Sequence, residues 1–371
     1  MPKTTILNDP AGIRKVDKSN MLSFCLDAYK HYRKAARLAE AVSISYRKPE
    51  AIIVAGMGGS AIGGELLKDW ARDRVAIPIE VCRDYFLPEY ANRSTLVFVV
   101  SYSGETEETL SVLLDAVKRK CMIACISSGG KLVEFAKKLG FPCLCVPSGM
   151  APRASLPYLF VPLIIFLKKL GLASNVDSEI SEAVKILKQV SNENSPEKPL
   201  KTNFSKTLAS NILGTIPVVY GFGVYRAVAQ RFKTQCNENS KIPAKWEYFP
   251  ELNHNDIVGW ETAKELAKYF SIVFLRDESE AKAIGQRIKA TKELMGEESL
   301  RLFEVWSSGH SALAKMSSLI SVGDFTSVYL AVLRGVDPTP VKTISLLKEK
   351  LKQGGLKEKV VHELEEFALH V

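Results

Sequence analysis

Two strand-like runs, each ending in a turn rich in glycine or hydroxyl residues, place the strongest constraint on the fold. Ala51–Ala55 runs into Gly56-Met-Gly-Gly-Ser-Ala-Ile-Gly-Gly64, and Leu96–Val100 runs into Ser101-Tyr-Ser-Gly-Glu-Thr-Glu-Glu-Thr109. The Glu-rich segment after the second turn has the composition of an opening helix. In an open parallel sheet such turns lie together at the carboxyl edge of the strands, where ligands of this fold class bind.

The two turns have the chemistry of a phosphate site. A helix N-terminus presents unpaired N–H groups and a positive dipole end to an anion. Hydroxyl groups add donors without adding charge, which suits a phosphate monoester that must be released again. The residues predicted to contact the phosphate are Gly58, Gly59, Ser60, Ser101, Ser103 and Thr106. The alternative is a plain helix cap, because Ser or Thr followed by Glu is also the capping-box pattern.

Strand-like and helix-like segments alternate along most of the chain. The strand-like runs are Ala51–Ala55, Ile77–Cys82, Leu96–Val100, Met122–Ile126 and Pro142–Val146, then Ile216–Tyr220, Tyr269–Leu275 and Arg301–Val305. This alternation predicts doubly wound parallel sheets. The second half repeats a glycine turn at 221–223 and repeats the Ser-Ser-Gly turn of 127–129 at 307–309, which indicates an internal duplication. Its glycine turn lacks the serine and threonine residues of the first half, so phosphate is expected only in the first half.

The sequence divides into five predicted segments. These are an N-terminal helical segment at 1–48, a first α/β domain at 49–170, a helical connection at 171–205, a second α/β domain at 206–336 and a C-terminal helix at 337–371. The connection is polar and is broken by Ser-Asn-Glu-Asn-Ser-Pro at 191–196, which marks the domain junction.

Composition excludes several classes of function. Hydrophobic residues make up 46% and charged residues 25% of the chain, as in a soluble globular enzyme. The net charge of +9 comes from basic residues that are spread at helical spacing among acids, so we expect no nucleic-acid groove. The longest apolar run, Leu156–Leu167, contains Pro157 and Pro162, and residues 1–20 lack a signal-peptide core. We therefore expect no membrane span and a cytoplasmic location.

The seven cysteines are an odd number without the spacing of a zinc site. Reduced thiols in the cytosol fit this pattern best. No metal is expected.

Together the two turns resemble the sugar isomerase (SIS) domain, a flavodoxin-like module that binds phosphorylated sugars, over roughly residues 50 to 150. With the internal duplication, the predicted fold class is α/β, with two tandem SIS domains, each a doubly wound parallel sheet, and flanking helices. The resemblance implies a sugar-phosphate pocket made by the first turn and the Ser/Thr turn.

An aldose–ketose isomerase needs a carboxylate to move a proton between C1 and C2 and an imidazole to open the sugar ring. Residues 235–260 interleave polar residues with aromatics and prolines, which is typical of an ordered loop that lines a site. Glu238 and His254 in this loop are the candidates, and Arg153 is the candidate cation for a developing enediolate. A capping acid, a hydrogen-bonded loop histidine and a structural ion pair are the respective alternatives.

Five motifs in one order extend the resemblance from a module to a family over roughly residues 20 to 350. They are the glycine turn at 56–64, the Ser/Thr turn at 101–109, Pro152-Arg-Ala154, Asn237-Glu-Asn239 and Glu251-Leu-Asn-His-Asn255. The chain is thereby similar to the bifunctional phosphoglucose/phosphomannose isomerases of archaea and some bacteria.

The family pattern implies a role for each candidate residue. It makes Glu238 the base that moves the proton, His254 the group that opens the ring and Arg153 the group that stabilises the enediolate. A C-terminal lysine assists ring opening; we place it at Lys348, with Lys342 as the competing position and a solvated surface lysine as the alternative. The resemblance further implies no cofactor, and a homodimer in which the histidine reaches the partner's site.

Two departures from the family pattern bear on the site. Glu105 stands where the family usually has Asn, and a carboxylate there would repel a phosphate unless it points away from it. Ala151 stands where many members have Gln, which bears on fine specificity.

Two other functions remain open from the sequence. The pattern Gly56-x-Gly58-x-x-Ala61, with Glu80 or Asp84 downstream, also fits a dinucleotide-binding oxidoreductase. A non-catalytic sugar-phosphate sensor is the second alternative, because SIS modules also occur in regulators.

Overall fold

The computed structural model describes residues 3–261, 264–296, 300–351 and 354–369. It is an α/β structure with two parallel sheets. The helices are α1 (Pro10–Val16), α2 (Met21–Leu26), α3 (Ala28–Glu40), α4 (Gly59–Ala71), α5 (Glu107–Lys118), α6 (Gly130–Lys138), α7 (Leu156–Lys169), α8 (Val176–Glu193), α9 (Phe204–Ile212), α10 (Arg226–Glu238), α11 (Lys264–Ala267), α12 (Lys282–Met295), α13 (Ala312–Arg334), α14 (Lys342–Leu351) and α15 (Leu356–Leu369).

The first sheet has five parallel strands in the order β2-β1-β3-β4-β5. Their bounds are β1 (Ala51–Ala55), β2 (Ile79–Cys82), β3 (Thr95–Val100), β4 (Met122–Ser127) and β5 (Cys143–Cys145). The three central strands are buried along their whole length, as expected for strands covered by helices on both faces. Ala55 pairs with Val99, so the turns after β1 and β3 leave the sheet side by side.

The second sheet has four parallel strands in the order β7-β6-β8-β9. Their bounds are β6 (Ile216–Phe222), β7 (Lys245–Phe249), β8 (Phe270–Arg276) and β9 (Arg301–Trp306). With its repeated strand order, the second sheet confirms the predicted α/β fold with two doubly wound sheets.

The chain forms two compact units that each contain one sheet. The first-sheet unit comprises His31–Ser178 and Val341–Val371, and the second-sheet unit comprises Met1–Lys30 and Glu179–Pro340. Both units are therefore built from separated pieces of chain. The predicted domain boundaries at 49, 171, 206 and 337 follow sequence composition instead, and they stay predictions.

In the first-sheet unit, α15 packs on α5 and α6. Its Val360 and Leu364 are buried in an apolar cluster that includes Leu113 of α5 and Leu132 of α6. Ion pairs flank this contact, with Lys118 Nζ 2.6 Å from Glu363 and Lys131 Nζ 3.7 Å from Glu365. The C-terminal segment thus covers the outer helices of this unit.

The 23-residue helix α13 is the central helix of the second-sheet unit. Ser311 caps its N-terminus by accepting a hydrogen bond from Ala314 N–H at 3.3 Å, and Gly335 ends it in the left-handed conformation. Among the described residues, α13 is one helix whose length and composition would allow it to cross a membrane. However, 94% of its most apolar stretch is buried inside the protein, as in the core helix of a globular domain. The sequence analysis took Leu156–Leu167 as the longest apolar run. It did not identify α13 because Ser and Gly residues interrupt the apolar residues of this helix.

Two local predictions differ from the structure, and a third can be described in more detail. Residues 235–260, expected as a loop, contain the edge strand β7. The predicted C-terminal helix at 337–371 is two helices, α14 and α15. The connection at 171–205, predicted as helical, contains the helix α8, whose inner face is buried.

Candidate active site

The first turn carries the chain from β1 into α4. Helix α4 begins at Gly59, so Gly58 and Gly59 lie at its N-terminus as the sequence predicted. Ser60 follows in the first helical turn and is 6% exposed. Ser60 N–H donates to the carbonyl of Met57 at 2.9 Å, and Ile62 N–H donates to that of Gly58 at 3.1 Å. The N–H groups of Gly58 and Gly59, just before these bonds, lie at the positive end of the helix dipole, where anions bind.

The Ser/Thr turn is held by its own hydroxyl groups. Ser101 Oγ accepts a hydrogen bond from Gly104 N–H at 3.1 Å and donates one to Thr106 Oγ1 at 3.0 Å. Thr106 occupies the N-cap position of α5, yet its side chain makes no capping hydrogen bond. Ser103 is exposed, and its Oγ accepts from Glu105 N–H at 3.2 Å. Thr106 therefore stands at the N-cap position, but its hydroxyl is oriented by the hydrogen bond from Ser101 and not by a bond to the helix.

The two turns are in direct contact. Ser60 Oγ accepts a hydrogen bond from Tyr102 N–H at 3.2 Å. This bond joins the start of α4 to the Ser/Thr turn. The turn after β4 supports them from the other side, because Ser128 N–H and Oγ both donate to the carbonyl of Tyr102, at 2.9 and 2.6 Å. The structure thus brings the predicted phosphate residues together in one unit.

Tyr102 is a residue that the sequence analysis did not single out. Its hydroxyl donates to the carbonyl of Pro147 and accepts from Met150 N–H, both at 2.9 Å. Burial raises the pKa of Tyr102, so its hydroxyl keeps its proton for the bond to Pro147. Because this bond spans 45 residues of sequence, no local pattern announces it. Tyr102 fixes the segment that leads into Pro152 and Arg153.

Arg153 lies beside the first turn. A Cβ atom added to Gly59 would sit 3.0 Å from the carbonyl oxygen of Pro152 and 3.3 Å from Arg153 N, so the two backbones are in close contact. Arg153 is 2% exposed. A guanidinium group stays protonated in proteins even when it is buried, so Arg153 carries a positive charge. The structure therefore places the backbone of Arg153, the predicted cation, next to the first of the two predicted phosphate turns.

Glu105, the departure in the Ser/Thr turn, is turned toward partners of its own. Its Oε1 accepts a hydrogen bond from Lys131 N–H at the start of α6, at 2.9 Å. Its Oε2 forms an ion pair with Lys357 of α15. The carboxylate thus caps one helix and is neutralised by another, which answers the concern that it faces the phosphate unpaired.

In the second-sheet unit, Glu238 and His254 lie on opposite faces of the sheet. Glu238 is the last residue of α10 and is half-buried. Helix α10 covers the face to which Gly221 points, since a Cβ at Gly221 would lie 3.1 Å from Ala229 Cβ. The next residue back, Tyr220, points to the other face, where its hydroxyl bonds to Asp256.

The segment that carries His254 covers that other face. It consists of two short 3-10 helices, Glu251–His254 and Asp256–Trp260. Trp260 Nε1 donates to Tyr220 Oη at 3.2 Å, and Asn253 Nδ2 donates to Thr291 Oγ1 of α12 at 2.8 Å. His254 itself is exposed. Because the sheet lies between the two faces, Glu238 and His254 do not converge within one unit.

The competing lysines both lie on α14. Lys342 is its first residue and Lys348 lies six residues later; both are exposed, and no described residue of this helix is buried. The helix also exposes apolar side chains, namely Ile344, Leu346, Leu347 and Leu351. Its geometry does not choose between the two lysines.

Among the residues that the structure describes, no group of three or more His, Cys, Asp or Glu side chains is placed to hold a metal ion. A cleft of about 640 Å³ in the second-sheet unit contains none of the predicted site residues. Its lining includes Arg276, Glu280, Lys292 and Glu304, which pair with one another.

Comparisons with known proteins identify the family. The family model described as "Bacterial phospho-glucose isomerase C-terminal SIS domain" matches residues 201–351. The bifunctional phosphoglucose/phosphomannose isomerase of Caldicellulosiruptor bescii is 43% identical over 86% of this chain and 96% of its own length. The protein of the same name from Thermoplasma volcanium is 37% identical over 83% of this chain and 94% of its own length.

Among solved structures, a hypothetical protein from Thermus thermophilus has a TM-score of 0.75 and covers 94% of each chain at 16% identity, a likeness of fold. The two sheets, the joined turns and the extent of the sequence identity agree with one another. The chain therefore belongs to the family of bifunctional phosphoglucose/phosphomannose isomerases.

Proposed function

We propose that this protein interconverts fructose 6-phosphate with glucose 6-phosphate and mannose 6-phosphate, through a cis-enediol and without a metal ion. The observation that carries the proposal is the hydrogen bond that joins Ser60 to the Ser/Thr turn, with Arg153 beside them. The reaction is inferred from membership of the family, and this cluster of residues is where we expect the phosphate group of the substrate to bind. We propose a cytoplasmic location for this reaction, where its phosphorylated substrates occur.

The phosphate end of the substrate binds to the two turns. The N–H groups at the start of α4 and the hydroxyl groups of the second turn donate to its oxygens. The proposed contacts are Gly58, Gly59, Ser60, Ser101, Ser103 and Thr106. Because the Ser101 and Thr106 hydroxyls are already aligned by their mutual bond, little reorganisation is needed when the phosphate arrives.

The reaction is a proton transfer between neighbouring carbons. His254 moves a proton between the ring oxygen and the hydroxyl group at the anomeric carbon, which opens the ring, and Lys348 assists this step. Glu238 then takes the proton from C1 of the open ketose, and the enediolate that forms is stabilised by the charge of Arg153. A second proton moves from the C1 hydroxyl to the C2 oxygen of the enediolate, and return of the first proton to C2 then gives the aldose. Since glucose 6-phosphate and mannose 6-phosphate are C2 epimers with the same enediol, one base serves both.

The positions of Glu238 and His254 support a homodimer with shared active sites. They lie on opposite faces of one sheet, so His254 of a second copy is the histidine that completes the site of Glu238. A C2 dimer would then contain two complete sites, each made from both chains.

The first experiment measures turnover of fructose 6-phosphate in the presence of EDTA, with glucose 6-phosphate and mannose 6-phosphate detected in separate coupled assays. Formation of both products supports the proposal. Activity that EDTA abolishes would contradict the metal-free mechanism. Binding of the sugar phosphate without turnover would instead favour a sensor.

A second experiment tests the roles of Glu238 and His254 together with the dimer. Glu238→Gln and His254→Asn should each be inactive but still bind fructose 6-phosphate. When the two variants are unfolded together and refolded, about half of the dimers contain one chain of each, and each such dimer has one intact site. Activity should return to about a quarter of the wild-type value. No recovery, with mixed dimers present by mass spectrometry, would refute shared sites.

A further inference from the structure

The two units repeat the same arrangement of strands. In each sheet a central first strand is flanked by the second and third strands, and the fourth lies beyond the third: β2-β1-β3-β4 in one and β7-β6-β8-β9 in the other. The loops after β6, β8 and β9 therefore correspond to the loops after β1, β3 and β4. Asp277, directly after β8, takes the place of Ser101, directly after β3. Ser279 likewise corresponds to Ser103.

Asp277 is buried, with 8% of the residue exposed, and its carboxylate gathers donors from three directions. Oδ1 accepts from Ser279 N–H at 2.8 Å, from Ser279 Oγ at 2.9 Å and from Lys315 Nζ at 3.0 Å. Oδ2 accepts from the Tyr225 hydroxyl. Tyr225 belongs to the turn after β6 and Lys315 to α13, which follows β9, so all the corresponding loops contribute.

These donors form the kind of set that binds a phosphate group: a backbone N–H, two hydroxyl groups and an ammonium group. Ser307, in the turn after β9, adds a further hydroxyl within 3.3 Å of the Tyr225 hydroxyl oxygen. Burial by itself would raise the pKa of Asp277, but the bonds from Tyr225, Ser279 and Lys315 outweigh it and lower the pKa. The group is thus an anion held by converging donors.

We propose that the second-sheet unit contains a phosphate-type anion site that the chain fills with its own Asp277 carboxylate. The donors around Asp277, after β8, are thus occupied by this internal ligand, whereas the Ser/Thr turn after β3 stays available to substrate. The absence of serine and threonine from the second glycine turn is then only part of the reason for a single phosphate site. The other part is that the Asp277 carboxylate, which is covalently attached to the chain, competes with phosphate at an effectively saturating local concentration.

The test is to remove the carboxylate and leave its donors. Asp277→Ser reproduces the residue found at position 101 and frees the space of the carboxylate. Isothermal titration with inorganic phosphate, at ionic strength matched with sodium chloride, should show one more phosphate bound per chain than in the parent protein. The expected change in stoichiometry does not depend on the first site: if the parent binds none, the proposed function loses support while the variant still gains one.

Two further variants make the result specific. Asp277→Asn keeps the volume of the side chain, so it should gain no phosphate. Lys315→Met in the Asp277→Ser background should lose the added site, because the ammonium group supplies its charge. An unchanged stoichiometry in folded Asp277→Ser would overturn the proposal. If this variant folds only in phosphate and not in chloride, the proposal is supported; failure to fold in either salt overturns it, since phosphate must then be unable to replace the carboxylate.

Discussion

Gly104, in the middle of the Ser/Thr turn, allows a sharp test of how accurately that turn must be placed. Its φ is +69°, and a Cβ added there would overlap the carbonyl oxygen of Gly129 and lie 2.8 Å from Ser127 Oγ. Gly140 has nearly the same φ, +70°, but nothing within 4 Å of an added Cβ. The two glycines thus share a backbone conformation and differ in the space around them.

The pair separates two effects of Gly104→Ala. The left-handed backbone costs an alanine roughly 1 kcal/mol, and this cost is common to Gly104→Ala and Gly140→Ala. Only Gly104→Ala must also move backbone, because its obstacle is a carbonyl group rather than a flexible side chain. A shift on the order of 1 Å in a substrate-binding loop lowers turnover efficiency about 100-fold.

The assay compares kcat/KM for fructose 6-phosphate with the free energy of unfolding in urea. Gly140→Ala should lose about 1 kcal/mol of stability at unchanged kcat/KM, and Gly104→Ala should lose more stability together with about 100-fold in kcat/KM. Equal kinetics for the two variants would refute the reasoning, because the Ser/Thr turn would then tolerate displacement or not bind the substrate.

Three other predictions concern charge. Lys357→Ala, which leaves Glu105 without its ion pair, should raise KM several-fold at constant kcat, because the uncompensated carboxylate in the Ser/Thr turn would then repel the phosphate group, an effect of about 1 kcal/mol; adding Glu105→Gln should restore KM. Asp324→Ala should cost about 3–5 kcal/mol in urea unfolding, because its carboxylate lies 2.8 Å from Arg231, whose side chain is 3% exposed; Asp324→Asn should cost less. Burial lowers the pKa of Lys206 from 10.5 to about 8, so the folded chain loses this proton at a lower pH than the unfolded chain. Between these two pH values the unfolded chain binds more protons, and this lysine should therefore make the free energy of unfolding rise with pH. Lys206→Met should remove that rise.

The sequence predicted what short-range patterns encode. All the strands it named are present within about two residues, because apolar runs bounded by turns are strong signals for buried parallel strands. It missed β7, Lys-Trp-Glu-Tyr-Phe, which is a half-buried edge strand in which polar and aromatic residues are mixed. Two prolines, Pro243 and Pro250, frame it and favour a loop reading.

Long-range relations were beyond the sequence. The bonds of the Tyr102 hydroxyl, and the pairing of Glu105 with Lys357, join positions far apart in the chain. The separation of Glu238 from His254 by a sheet depends on which face each crossover takes, and 15 intervening residues suggest nearness instead. The role assignments for these residues stay predictions until the variants are measured.

The division of the first-sheet unit between two stretches of chain has a consequence for biosynthesis. A ribosome that has finished residue 178 must add the whole of Glu179–Pro340 before α15 can be made. At roughly 5–20 residues per second this takes about 10–30 s. Throughout that interval the apolar surface of α5 and α6 that receives Val360 and Leu364 is uncovered on the nascent chain. We expect ribosome-bound intermediates of this length to be the ones that chaperones recognise and proteases cut.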